Sequence, residues 1–148
     1  MATPPTPFLT WDDSYAMHNE VIDHQHRHLV SMVSDLYEAV ESRQPRANLG
    51  NCLTSLYNFA RAHFATEEQL MRAHKFPKYD LHKAAHEGLG ESLRHLRDEV
   101  VSGERELTPA YVELIKLWLI EHFGQFDTAY APFLGDKRGP GCFRPQNC

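Results

Sequence analysis

The chain has 148 residues, 42% of them hydrophobic, 24% charged and 11% aromatic, with a formal net charge of −5. That length suits one domain, which buries roughly 70% of its unfolded surface and needs no disulfide staples; three cysteines, an odd number, agree. The acidic balance offers no field for nucleic acid, and no apolar run approaches the roughly 18 residues of a membrane helix, so no membrane insertion is expected.

Residues 1–18 read as an N-terminal arm. Its sequence, MATPPTPFLTWDDSYAMH, has neither the basic start nor the apolar stretch of a signal peptide, so the chain is expected to be cytoplasmic. The first helix is predicted over 20–42, with an apolar stripe at Ile22, Leu29, Val33, Leu36 and Val40. Pro45 breaks the chain, and a second helix follows over 47–75 with Leu49, Leu53, Leu56, Ala60 and Leu70 on one face. Pro77 ends it, because the residue before a proline is pushed out of helical geometry. Asp80 is the expected cap of a third helix over 80–102, with Leu89, Leu93, Leu96 and Val100 inward and Gly103 as left-handed C-cap. Thr108-Pro109 starts a fourth over 109–130: a hydroxyl at the N-cap, then proline at the first helical position. Its stripe reads Tyr111, Ile115, Trp118 and Phe126. Steps of three and four throughout, with short breaks, predict an all-α, antiparallel up-down-up-down four-helix bundle over 19–131. Residues 132–148, rich in glycine and proline, read as an irregular tail to a single domain.

The stripes also hold polar residues. His26, His63, Glu67, His82, His86 and His122 all occupy core-facing positions. A lone histidine in such a stripe is ordinarily a satisfied core residue; here every helix contributes at least one at mid-helix depth. Each unpaired buried polar group costs about 1–3 kcal/mol, and a carboxylate costs more, against about 5–15 kcal/mol for the stability of a whole domain. A shared metal centre satisfies them together. His63 and Glu67 are four residues apart and leave one helix face, as do His82 and His86. Asp127 lies five residues after His122. Several histidines with two carboxylates suggest a dinuclear site, and thiolate-free nitrogen ligation points to iron, copper or zinc. A five-residue step turns about 140° on an ideal helix, so His122 and Asp127 share a face only if the helix widens into a π-turn between them.

The remaining histidines take the plainer reading. His24 and His28 flank His26 on other faces, His74 falls at the bundle end, and His18 and His95 have no ligand-like partner. Glu68 points about 100° from Glu67. Cys52 reads as a packing residue, and Cys142 and Cys148 lie in the tail.

In order and at these separations, Ile22-Asp23-His24-Gln25-His26, His63-Phe64-Ala65-Thr66-Glu67-Glu68, the run from Phe76 to His86 holding both His82 and His86, and Trp118-Leu119-Ile120-Glu121-His122 with Asp127 resemble the hemerythrins. They resemble the single-domain bacterial members most. Trp11 and Tyr15 are similar to their N-terminal arm. The resemblance implies a non-haem di-iron centre, Fe2+/Fe3+, with an oxo or hydroxo bridge. His82, His86 and His122 would hold one iron and His26 and His63 the other, with Glu67 and Asp127 bridging. The second iron would keep an open position for dioxygen. Leu119 resembles the family's pocket-lining leucine, and Phe123, Ile22 and Leu29 are further candidate walls. Phe123 stands where the family often has isoleucine.

The function implied is reversible dioxygen binding, not catalysis. A sensor ordinarily needs an output domain, so storage or delivery to an oxygen-consuming enzyme is favoured. The alternatives are a di-iron oxidase or peroxidase, nitric oxide or oxygen sensing, or iron handling. Oxygen-activating bundles use Glu-x-x-His pairs on two helices, and the candidate site has none. The oligomeric state is not legible here.

Overall fold

Helix ends follow the chemistry of their boundary residues. In the computed structural model, which describes residues 8–127, 129 and 131–133 (at 125–127 and 133 the backbone only), α1 spans Glu20–Glu41, α2 Arg46–Ala73, α3 Tyr79–Ser102 and α4 Pro109–Glu121. Residues 1–7 of the arm and 134–148 of the tail, with Cys142 and Cys148, lie outside the described residues. α1 starts where extended Asn19 accepts a hydrogen bond on its side chain from the Ile22 N–H, 3.0 Å away. Pro45 precedes α2, and its carbonyl accepts the first helical bonds, from Asn48 and Leu49. Gly103 ends α3 at φ 86°, a left-handed conformation that glycine adopts without steric cost.

Two caps differ from expectation. α3 is capped at Lys78, and Asp80 lies inside its first turn. A tight turn after Phe76, whose carbonyl accepts from the Tyr79 N–H, starts the helix early; Asp80 then interacts with the positive helix end as a charge. Thr108 occupies the N-cap position before Pro109, but through its carbonyl, which Tyr111 and Val112 N–H groups reach, and not through its hydroxyl. After Glu121 the backbone widens into a π-helix over His122–Asp127, where the spacing of those two residues called for one.

The four helices pack as an antiparallel bundle, and the described residues contain no strand. The core is layered. One apolar cluster holds Leu29, Val33 and Leu36 of α1, Leu53, Leu56 and Ala60 of α2, Leu93 and Leu96 of α3, and Val112, Ile115 and Phe123. A smaller one, Met17, Ile22, Met71 and Phe76, fills the other end. Between them lie the six polar core residues. The buried face of α4 departs from its predicted stripe: Val112 is fully buried, whereas Tyr111 and Trp118 are half-buried. α4 is apolar on nearly every side, so periodicity could not choose its face. The Phe126 side chain lies outside the described residues.

The arm is pinned to the bundle. The Leu9 N–H donates to Ser34 Oγ at 3.0 Å, and the same hydroxyl donates to the Leu9 carbonyl at 2.7 Å. Phe8 stacks on Tyr37, and Lys116 Nζ donates to the Phe8 carbonyl.

Leu53, 1% exposed in the main cluster, and Leu114, 43% exposed on α4, test this layering. Leu53→Ala is expected to cost about 2–5 kcal/mol and Leu114→Ala under about 0.5 kcal/mol, read from urea midpoints by circular dichroism.

Candidate metal centre

The layered core sets the depth of the site. On α1, His26 lies one turn beyond Ile22 and one before Leu29, hence between the two apolar clusters. On α2, His63 and Glu67 fall between Ala60 and Met71; on α3, His82 and His86 fall between Phe76 and Leu93. The antiparallel alternation brings these heights into one plane, which His122 completes from the end of α4. All six are at most 3% exposed.

Glu67 is the centre of that plane. Its Oε1 lies 2.9 Å from His86 Nε2 and 3.9 Å from both His82 Nε2 and His122 Nε2. Its Oε2 lies 3.2 Å from His26 Nε2 and 3.3 Å from His63 Nε2. One carboxylate thus faces three imidazoles with one oxygen and two with the other. The ligand atoms fall into two groups that share Glu67: one with His82, His86 and His122, one with His26 and His63. Burial alone would raise the Glu67 carboxyl, but the facing imidazoles, His63 first, hold it well below its ordinary value of 4.5. It is a buried anion.

The outward nitrogens decide what the inward ones can do. His86 Nδ1 lies 2.9 Å from Glu68 Oε2, and a carboxylate only accepts, so Nδ1 carries the proton. His63 Nδ1 donates likewise to Gln25 Oε1 at 2.6 Å. In that tautomer, when neutral, each Nε2 would turn a lone pair toward the carboxylate, and the positive charge and donated bonds that keep Glu67 ionised would have to come from cations in place of the imidazole protons. His86 Nε2 and His122 Nε2 stand 3.1 Å apart. Lone pairs converging on lone pairs in a dry core repel unless cations lie among them. Imidazole nitrogen with carboxylate oxygen and no thiolate is the donor set of iron, copper or zinc. The residues present fit a pair of such ions.

Gln25 and Glu68 are therefore part of the site, although the sequence pattern set Glu68 aside and gave no role to Gln25. Each is the chain neighbour of a core ligand candidate, turned about 100° from it, and meets a histidine of another helix. The signal available in sequence was the need of a metal-binding imidazole for an acceptor at its second nitrogen.

Of the candidate pocket residues, Leu29, Leu119 and Phe123 line one cavity of about 40 Å³ with Ala60, Phe64, His63 and His122. Ile22 does not line it: it packs with Met17, Met71 and Phe76 on the opposite side of the polar layer. Phe123 stacks on the His26 ring at 4.2 Å between centroids and meets Tyr15 at 5.2 Å; Tyr15 meets Trp11 at 5.6 Å. The arm thus braces one ligand candidate through a file of rings. The Asp127 backbone ends the π-helix, and its side chain lies outside the described residues. His18, His24, His28, His74 and His95 are exposed, away from the cluster.

The family model described as "Hemerythrin HHE cation binding domain" matches residues 17–134. A bacteriohemerythrin of Stenotrophomonas maltophilia (strain R551-3) is 32% identical over 123 residues, which are 83% of this chain and 79% of that protein. A myohemerythrin of Sipunculus nudus is 29% identical over 126 residues, 85% of this chain and 92% of its own length. Among solved structures, a wild-type hemerythrin superposes with a TM-score of 0.82 at 25% identity, over 87% of this chain and 99% of its own. Among the described residues, no helix is long and apolar enough to cross a membrane. With a family model spanning most of its length and a buried His/Glu cluster at its core, the chain belongs to the hemerythrin HHE cation-binding domain family.

Proposed function

We propose that the chain binds dioxygen reversibly at a non-haem di-iron centre and stores it or delivers it to an oxygen-consuming enzyme. The observation that carries this reading is the unequal division of imidazoles around Glu67, three at Oε1 and two at Oε2. His82, His86 and His122 would hold one iron, and His26 and His63 the other. Glu67 would bridge them, and Asp127 would be a second bridge. A π-helix closes its hydrogen bonds from i to i+5, so its course over His122–Asp127 turns the two positions nearer to one face than a regular helix would, which supports Asp127 on the side that His122 occupies. With one imidazole fewer, the His26/His63 position is where an external ligand would fit. A di-iron pair with an oxo or hydroxo bridge, when bound there, would supply the two electrons that dioxygen takes up and would recover them on release.

The chain's own residues do the rest. Gln25 and Glu68 hold two rings in the tautomer that binds metal. Leu29, Leu119 and Phe123 keep the adjoining cavity apolar, which excludes the water that would drive irreversible oxidation. Neutral imidazoles dominate the ligand set and stabilise high-valent iron less than carboxylates would. Binding is therefore favoured over oxidase or peroxidase turnover.

The direct test is iron analysis with an optical spectrum of the reduced protein under air and again under vacuum. About two irons per chain and a band that disappears under vacuum are expected; decay of the band with consumption of a reductant would instead indicate catalysis. Ligand imidazoles must be neutral, and free ones protonate near about pH 6.5, so iron should be lost as the pH falls below that value. The depressed Glu67 carboxyl acts in the same direction: its stabilisation is full above its ordinary value of 4.5 and fades as the pH falls through its lowered one. A chelator should lower the melting temperature sharply at pH 7, and an unchanged melting temperature would refute the metal-linked fold.

Single substitutions separate ligands from walls. His63→Ala or Glu67→Ala is expected to lose iron. Leu119→Ala is expected to keep full iron and to autoxidise about tenfold faster, read from the decay of the oxygenated spectrum.

A further inference from the structure

Two hollows lie on either side of the seam between α3 and α4. The inner one is the 40 Å³ cavity against His63 and His122. The outer one is a groove of about 270 Å³ lined by Gly88, Leu89, Ser92, Trp118, Glu121 and His122. Leu89, Trp118 and His122 line both. His122 is held in the polar layer and is only 3% exposed, so the movable wall between the hollows is Leu89 and Trp118, both half-buried.

The seam is the loosest of the bundle. Among the described residues α2 and α3 run close along their length, whereas the backbones of α3 and α4 stand further apart and meet through their side chains. Outside the His/Glu cluster, no ion pair among the described residues ties α3 to α4. A Cβ on Gly88 would meet nothing within 4 Å, so the glycine leaves the mouth of the groove open. A second groove, between α2 and α3, touches the cavity only through Phe64. Its mouth carries Arg61, Lys83, Glu87 and Glu91, groups that hold water.

An apolar diatomic gives up no hydrogen bonds on entering an apolar cavity, and water does. Resting on the oxygen-binding reading above, we propose that dioxygen reaches the buried cluster through the α3–α4 seam, with Leu89 and Trp118 as the gate. The gate opens by rotamer changes of side chains that are already half-exposed, without parting the helices. A ligand passing it arrives beside His122 and crosses the cavity to His63, on the two-imidazole side of Glu67.

The test uses iron-loaded protein with iron content measured in every sample. Leu89→Ala is expected to raise the association and dissociation rates of dioxygen about tenfold each, and Gly88→Leu to lower both at least about threefold. The affinity of Gly88→Leu should stay within about twofold, since Gly88 lines only the outer groove and a gate changes a barrier and not its end states. Gly90→Leu, in the α2–α3 groove, should leave both rates unchanged. Xenon exchange between cavity and solvent, followed by xenon NMR on the same samples, should rank the variants identically. If xenon ranks them so while dioxygen is not bound reversibly, the route stands and the oxygen-binding reading falls. If Gly88→Leu and Leu89→Ala leave xenon exchange unmoved, or only Gly90→Leu slows it, the seam is not the route.

Discussion

A single buried carboxylate organises this molecule. Glu67 is fully removed from solvent and remains ionised. An uncompensated charge at that depth costs several kcal/mol, comparable to the stability of a whole domain. It can stay only because five imidazoles from all four helices, with whatever cations they hold, surround it. That requirement fixes the register of the bundle. A one-turn slip of any helix would move its histidine about 5.4 Å along the axis, into one of the apolar clusters, and leave Glu67 short of a partner. The apolar layers above and below supply stability; the polar layer selects which packing of them is allowed.

The surroundings of that layer are graded. His86 leans on a carboxylate, Glu68, whereas His63 leans on an amide, Gln25. A charged acceptor draws the Nδ1 proton harder and makes the opposite nitrogen a stronger donor. The three-imidazole side of Glu67 is thus also the more electron-rich side. The two-imidazole side adjoins His26, which Phe123 covers, and His63, which opens onto the apolar cavity. The polar layer thus has stronger donation on one side and an apolar space on the other.

Much of this was legible in the sequence because the periodic part of the problem is local. The α1 stripe and the ligand spacing on α2 and α3 map directly to burial, since each helix has one apolar face. Where a helix is apolar nearly all round, periodicity carries no signal, and on α4 it points to Tyr111 although Val112 is the buried residue. Ile22 packs away from the cavity for a related reason. It shares the face of His26, but sharing a face does not say on which side of the polar layer a residue falls. Glu68 and Gln25 were missed because their partners sit 18 and 38 residues away, and only tertiary packing brings them together. Asp80 and Thr108 fell within a residue or two of the helix starts, but cap chemistry depends on a turn whose geometry composition does not encode.

The end of α4 shows how a local irregularity follows from the central constraint. A regular helix would spread the His122 and Asp127 positions about 140° apart. Inserting a π-turn weakens the hydrogen-bond ladder over His122–Asp127 and has no propensity gain to offset it. The tightly packed middle of a helix would resist such a change, because widening there shifts every neighbour. At the C-terminal end the disturbance runs only into the last turn, beside Gly124, which is exposed and carries no side chain to displace. The same segment places Phe123 directly after His122, so the ring that covers His26 and the imidazole that faces Glu67 move as one unit. Regularising the helix would displace both together. The irregularity is therefore coupled to the buried carboxylate as tightly as the ligand spacing is.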